Sequence, residues 1–188
     1  MKFFHQNSVK HLIFKTEIVK LSVDIKKFIP VEKEDDGVFR FLLVSRMLWA
    51  KGIQEFVDAA KIIKVKHNNI EFQLLGHLDF ASPTAITKEQ MDIWLDDGYV
   101  KYLGSSDDVR VEIAQADCIV LPSFYREGTP RILLESASME KPIITTDNVG
   151  CRDVVDDGIN GYLCEVRNSQ DLAEKMEIML CLSRDERR

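Results

Sequence analysis

From Val38 onward, short apolar runs alternate with segments whose apolar residues recur at helical spacing, and this alternation constrains the fold more than any other feature. Phe39–Ser45 reads as a strand, followed by a helical pattern carried by Phe56, Ala59, Ala60 and Ile63. Ile70–Leu75 is a second apolar run, closed by Gly76. Lys88–Asp97 reads as a helix with Gly98 suited to its C-cap, Tyr99–Leu103 as a strand and Asp107–Gln115 as a helix. Asp117–Leu121 is a buried strand, Pro130–Met139 a helix and Pro142–Thr145 a strand. A turn at Cys151–Val155 leads to the strand Gly161–Cys164 and the amphipathic helix Ser169–Cys181. Short, nearly all-apolar strands that alternate with helices require a mostly parallel sheet covered on both faces. The expected fold is a doubly wound, Rossmann-like α/β domain.

Length and composition agree with one such domain. A chain of 188 residues, 45% hydrophobic and 30% charged, can bury a core without disulfides or metal. The domain is expected over residues 38–183. It is preceded by a segment, 1–37, that ends in the acidic run Glu32–Asp36 and Gly37 and reads as a linker or the ragged end of something larger, and is followed by a polar tail, 184–188. A net charge of −6 argues against binding nucleic acid through its phosphates. Four irregularly spaced cysteines (118, 151, 164 and 181) give neither a zinc pattern nor a disulfide framework, and free thiols fit a reducing cytosol. The N-terminal apolar run is too short for a signal peptide, and no stretch is long enough for a membrane helix. A cytoplasmic location is expected.

In such a sheet, ligands bind beyond the carboxyl ends of the strands. That edge comprises Arg46–Lys51, Gly76–Leu78, Gly104–Asp107, Ser123–Arg131 and Thr146–Gly150. It carries no G-x-G-x-x-G, Walker or G-x-S-x-G pattern, which leaves dinucleotide oxidoreductase, P-loop ATPase and serine hydrolase unsupported. A phosphoacceptor receiver would need acidic residues where Arg46 and Lys51 stand.

The informative stretch is Pro122-Ser-Phe-Tyr-Arg-Glu-Gly-Thr-Pro-Arg-Ile-Leu-Leu-Glu135. Pro130 suits the first helical position, which puts Gly128 and Thr129 at a helix entrance, where N–H groups and the dipole favour an anion. Glu127 stands just outside the helix, and Glu135 leans back toward its start. Two carboxylates then flank a phosphate nest, placed to accept hydroxyls of a sugar nucleotide. Spacing alone leaves a blander reading open, in which Glu127 favours the dipole and Glu135 pairs with Arg131.

Glu127 and Glu135, with seven residues between them, resemble the E-x7-E motif of retaining, family 4-type (group 1) glycosyltransferases of GT-B fold. The resemblance runs from about Leu21 to Cys181 and includes Val44-Ser-Arg-Met-Leu-Trp-Ala-Lys-Gly52, Val100-Lys-Tyr-Leu-Gly104, Ala116-Asp-Cys-Ile-Val-Leu-Pro-Ser123, Lys141-Pro-Ile-Ile, Gly150-Cys-Arg-Asp and Asp157-Gly-Ile-Asn-Gly161, in the family's order. It implies the C-terminal, nucleotide-sugar-binding half of such an enzyme, with residues 1–37 joining it to an N-terminal acceptor domain absent from this chain.

By that resemblance, Arg46 and Lys51 bracket the leaving diphosphate without a metal; as plain sequence they also read as two basic residues of a solvated loop. Glu127 orients the donor sugar, Glu135 holds the ribose, and Gly128, Thr129, Pro130 and Arg131 frame the phosphates. Gly76, Tyr102 and Leu103 line the base pocket, although Tyr102 reads equally well as a half-buried strand residue. No cofactor or metal is expected, since no DxD-type signature stands in a suitable loop. The implied partners are a nucleotide-diphosphate sugar, with UDP the expected nucleotide, and a glycan or lipid-linked acceptor met through the missing domain. The implied reaction is hexosyl or N-acetylhexosaminyl transfer in polysaccharide or capsule biosynthesis, with peripheral association at the inner face of the membrane. This chain alone is expected to be inactive. The competing reading is a non-catalytic nucleotide-binding module, or a half-enzyme completed by a separate partner. His77 reads as a surface residue, Trp49 as a packing residue, and Met139, Met176 and Met179 as core.

Overall fold

The computed structural model describes residues 23–79, 82–126 and 128–187. These form one six-stranded sheet: β1 Phe39–Val44, β2 Ile70–Leu75, β3 Lys101–Tyr102, β4 Cys118–Leu121, β5 Ile143–Thr146 and β6 Gly161–Cys164. The order is β3-β2-β1-β4-β5-β6 and every pairing is parallel. Five helices connect them: α1 Ile53–Lys64, α2 Lys88–Asp96, α3 Arg110–Gln115, α4 Arg131–Ser138 and α5 Ser169–Cys181. Crossovers run outward in both directions from β1, so the strand order reverses between β1 and β4, and the crevice of such a fold opens at that point.

The pleat explains why the strands are apolar throughout. Phe41 and Leu43 pack into a core on one face with Phe56, Val57, Ile63 and Phe72 and with Leu172 and Met176. Leu42, between them, enters a second core on the other face with Ile113, Ile119, Leu133 and Ile143. Side chains alternate faces along a strand, so a strand buried on both sides has no position where a polar residue is cheap. α1 and α5 lie against each other over the first face, while α3 and α4 contribute to the second. Met139, Met176 and Met179 are core residues, and Trp49 packs edge-on against Trp94 at 5.8 Å, as expected.

Several boundaries differ from expectation by a residue or more, three of them for a clear local reason. Pro130 is the N-cap of α4 rather than its first helical residue, because its ψ of 127° is extended. α3 begins at Arg110, not Asp107; the Asp108 carboxylate takes the Arg110 N–H and guanidinium just ahead of the helix. β3 has only two residues, so Leu103 falls outside it, although its N–H still donates to the Leu74 carbonyl at 2.8 Å. Cys118, Cys151 and Cys164 are buried and Cys181 is exposed, and burial pushes the Cys164 thiol up to about 12, out of reach of easy ionisation.

The described part of the leading segment crosses the amino edge of the sheet. Ser138 Oγ donates to the Phe28 carbonyl at 2.6 Å, and Lys33 Nζ meets Asp117 at 2.5 Å. A cleft of about 940 Å3 opens there, lined in part by Phe39, Ile70, Asp117 and Arg184. Charges around this edge answer one another: Lys33 pairs with Asp117, Arg40 with Asp36 and Lys66 with Glu177, whose carboxylate is also in hydrogen-bond contact with His67. Helix C-termini are directed toward this edge, so their dipoles disfavour an anion there.

Candidate functional site

The carboxyl edge is built differently. After β1 the chain is sewn to the β2 side: Ser45 N–H donates to Leu75, Met47 N–H to His77, and Ile86 N–H back to Met47. Met47 and Leu48 are buried and anchor the loop, leaving Arg46 exposed. A 3-10 turn, Trp49–Lys51, then ends at Gly52, which feeds α1. Lys51 Nζ lies 5.6 Å from the centre of the Tyr125 ring, within range of a cation–π contact. Arg46 and Lys51 thus both stand on the loop that leaves β1 at the strand switch.

The loop after β4 is pinned against that loop through one backbone atom. The Ala50 carbonyl accepts from the Phe124 N–H at 3.0 Å, the Tyr125 N–H at 3.2 Å and Ser123 Oγ at 3.2 Å. From the other side, Thr146 Oγ1 donates to the Ser123 carbonyl and Asn148 Nδ2 to the Tyr125 carbonyl. The guanidinium of Arg167, from the loop before α5, lies 4.2 Å over the Phe124 ring. Near it, Glu55 in the first turn of α1 has a buried Oε2 with no hydrogen-bond partner; burial raises its pKa and the Arg167 charge opposes the rise.

Gly128 and Thr129 lead into Pro130, whose side chain gives the start of α4 no cap, and the Leu133 N–H donates to the Pro130 carbonyl at 3.1 Å. A helix start of this kind favours an anion through its N–H groups and dipole. Arg131 is exposed and Glu135 buried, with 77% and 12% of their side chains accessible, and they meet at 3.5 Å. The i, i+4 pair is thus present. Burial raises the Glu135 pKa and Arg131 partly offsets it. Glu127 lies outside the described residues.

The base-pocket candidates lie across the edge on the β2–β3 side. Gly76 abuts the β1 loop so closely that a Cβ there would stand 1.7 Å from the Ser45 carbonyl oxygen. Tyr102 is half-buried in β3, where its ring packs on the core and its hydroxyl donates to the Gly76 carbonyl at 2.7 Å. Leu103 is 41% exposed, and His77 is exposed, as expected. Sequence reading marked the loops of Ser123, Tyr125, Thr146 and Asn148 but singled out none of these residues. Ala50 acts through its backbone and leaves no signal in the sequence at all. Among the described residues, no group of three or more His, Cys, Asp or Glu gathers to hold a metal.

A basic loop after β1 is tied to the loop after β4 at the strand switch, on the carboxyl edge where α/β sheets of this kind bind their ligands. The chain belongs to the group 1 glycosyl transferases, whose family model matches residues 38–181. Its fold is the Rossmann-like half of the GT-B architecture. The C-terminal domain of the group 1 glycosyl transferase family protein LpcC from Francisella tularensis superposes with a TM-score of 0.75 at 23% identity, over 88% of this chain and 91% of that one. Anabaena HepE, solved with UDP and glucose, gives 0.72 at 22% identity, over 85% of this chain and 46% of that one. In sequence, the chain is 31% identical over 175 residues to the N,N'-diacetylbacillosaminyl-diphospho-undecaprenol alpha-1,3-N-acetylgalactosaminyltransferase of Campylobacter jejuni, covering 87% of this chain and 44% of that protein. It is 27% identical over 137 residues to the capsular polysaccharide biosynthesis glycosyltransferase CapM of Staphylococcus aureus, covering 73% of this chain and 35% of CapM. The chain therefore spans less than half the length of these relatives. No helix among the described residues is long and apolar enough to cross a membrane.

Proposed function

We propose that this chain is the donor-binding part of a retaining glycosyltransferase that moves a sugar from a nucleotide-diphosphate sugar to a glycan or lipid-linked acceptor without a metal. The observation that carries the reading is the junction at the strand switch, where one carbonyl ties the loop bearing Arg46 and Lys51 to the loop that opens α4. Arg46 and Lys51 take the diphosphate, and the N–H groups at the entrance to α4 stabilise charge on it as it departs. Glu127 orients the sugar and Glu135 accepts the ribose hydroxyls. The departing phosphate serves as base for front-face attack, so no side-chain nucleophile is required.

UDP is supported as the nucleotide by HepE, solved with UDP and glucose. N-acetylhexosamine and a lipid-linked acceptor are supported by the name of the Campylobacter relative, and capsule or polysaccharide biosynthesis by that of CapM. Residues 38–183 form the donor domain, 1–37 the connection toward an acceptor domain, and the enzyme works peripherally at the cytoplasmic face of the membrane.

The deciding experiment measures binding and transfer on one preparation of the chain. UDP-sugar is expected to bind in the micromolar-to-millimolar range, because a single sheet edge leaves much of the donor wet. Transfer to a panel of acceptors is expected to be undetectable, since closure against a second domain excludes water and supplies the acceptor groups. Robust transfer would mean that residues 1–37 or a second copy completes the cleft. Absence of any nucleotide binding would leave a structural remnant.

The two glutamates separate by ligand. Glu135→Gln is expected to weaken UDP and UDP-sugar alike, whereas Glu127→Gln weakens only the sugar-bearing donor; equal losses for both ligands in both variants would refute the division of roles. Glu135 also sets a pH dependence. Burial holds its folded-state pKa above the ordinary 4.5, so the folded protein binds the proton more readily than the unfolded chain. Its contribution to stability is therefore lost as pH rises from the ordinary value through the raised one. UDP binding moves the opposite way, because the ribose hydroxyls need the carboxylate. Affinity titrated downward from pH 7 should fall through that window in the wild type and not in Glu135→Gln.

A further inference from the structure

We propose that Ser123 is a positioning residue for the diphosphate: its hydroxyl locks the β1 loop and the β4 loop in register, so that Arg46 and Lys51 face the entrance of α4 as one anion site. This rests on the donor-site reading above and goes beyond it, because Ser123 touches no ligand in that reading.

The hydroxyl has two jobs. Ser123 is fully buried, and Oγ donates to the Ala50 carbonyl at 3.2 Å while accepting the Tyr125 N–H at 3.3 Å. The second contact is the local turn that serine forms with the backbone two residues on. The first reaches across to the 3-10 turn that carries Lys51. The same residue is held from behind, since Thr146 Oγ1 at the end of β5 donates to the Ser123 carbonyl. Three consecutive loops of the carboxyl edge, after β1, β4 and β5, therefore converge on one side chain and its backbone. Misplacing charged groups by a fraction of an ångström weakens contacts that need simultaneous engagement of one anion.

The geometry also says why removing the hydroxyl should leave the fold intact. Without it, the Ala50 carbonyl keeps the Phe124 and Tyr125 N–H donors, and the Tyr125 N–H keeps Ala50. No buried polar atom is orphaned by Ser123→Ala, and unsatisfied groups are what make such deletions expensive. What is lost is stiffness between two loops.

The test compares wild type and Ser123→Ala in the full chain with three readouts: thermal midpoint, amide hydrogen exchange, and titration with UDP and with uridine. The thermal midpoint should move little. Exchange at the Phe124 and Tyr125 amides should quicken roughly fivefold or more, and UDP affinity should fall about tenfold, while uridine, which has no diphosphate, binds as before. Thr146→Val, which releases the same loop from the other side, should show the same ligand split. Equal losses for UDP and uridine, or a UDP affinity unchanged in Ser123→Ala, would overturn the assignment. A wild type that binds neither ligand would overturn the donor-site reading instead. Unchanged exchange at both amides would then overturn the lock itself.

Discussion

Gly52→Ala is expected to lower stability by about 2–5 kcal/mol and the thermal midpoint by roughly 10 °C. Two effects add at this position. Gly52 has φ of 77°, and holding an L-residue there costs about 1–2 kcal/mol. A Cβ would also stand 2.1 Å from the Pro122 carbonyl oxygen and 2.6 Å from its carbon, so the β1 and β4 loops would have to separate. Backbone shifts of that kind add a further 1–3 kcal/mol. Gly98 is the control, since it has a similar φ of 73° but nothing within 4 Å of the added methyl. Gly98→Ala should cost only the conformational part, about 1–2 kcal/mol. Equal thermal shifts in the two variants would show that the loops part without strain. Because Gly52 adjoins Lys51, Gly52→Ala should also depress UDP binding, measured below its lowered midpoint.

The largest expected loss of binding at fixed stability belongs to Lys51→Ala and Arg46→Ala. Each should weaken UDP by about 1.5–3 kcal/mol, the range for hydrogen bonds to a charged partner. Neither residue is part of the core. Arg46 is exposed, and Lys51 is half-buried beside Tyr125, so truncation leaves the packing of Met47 and Leu48 untouched. The losses should shrink with added salt, and the Lys51 effect more than the Arg46 effect, since a guanidinium binds phosphate through a directional fork and an ammonium as a point charge. Calorimetry that returned wild-type affinity for both variants would remove the β1 loop from the site and leave the α4 entrance without its partner.

Much of this molecule was legible before any coordinates. The continuous apolar runs of the strands and the 3.6-residue period of the helices placed β1, β2, β6 and α5 within a residue, because each of those segments packs apolar side chains into the core. The boundaries that slipped are those where a side chain competes with the backbone. Asp108 claims the Arg110 N–H ahead of α3, and the extended ψ of Pro130 moves the start of α4 by one residue. Tyr102 was ambiguous for a related reason: a phenol on an edge strand can serve a ligand or a neighbouring carbonyl. Its hydroxyl goes to Gly76.

The amino-acid sequence by itself determined the parallel α/β architecture and the place of Arg46 and Lys51 on the loop that leaves the carboxyl end of β1. Those follow from local rules of periodicity, turn chemistry and strand direction, all of which act over a few residues. Only the tertiary structure decided how the loops meet. That Ala50 offers its carbonyl to Ser123, Phe124 and Tyr125, that Gly52 lies against Pro122, and that Arg167 covers Phe124 are contacts between residues far apart in the chain. Sheet order brings them together, and a backbone carbonyl or a missing Cβ can make such a contact without leaving any pattern for sequence reading to find.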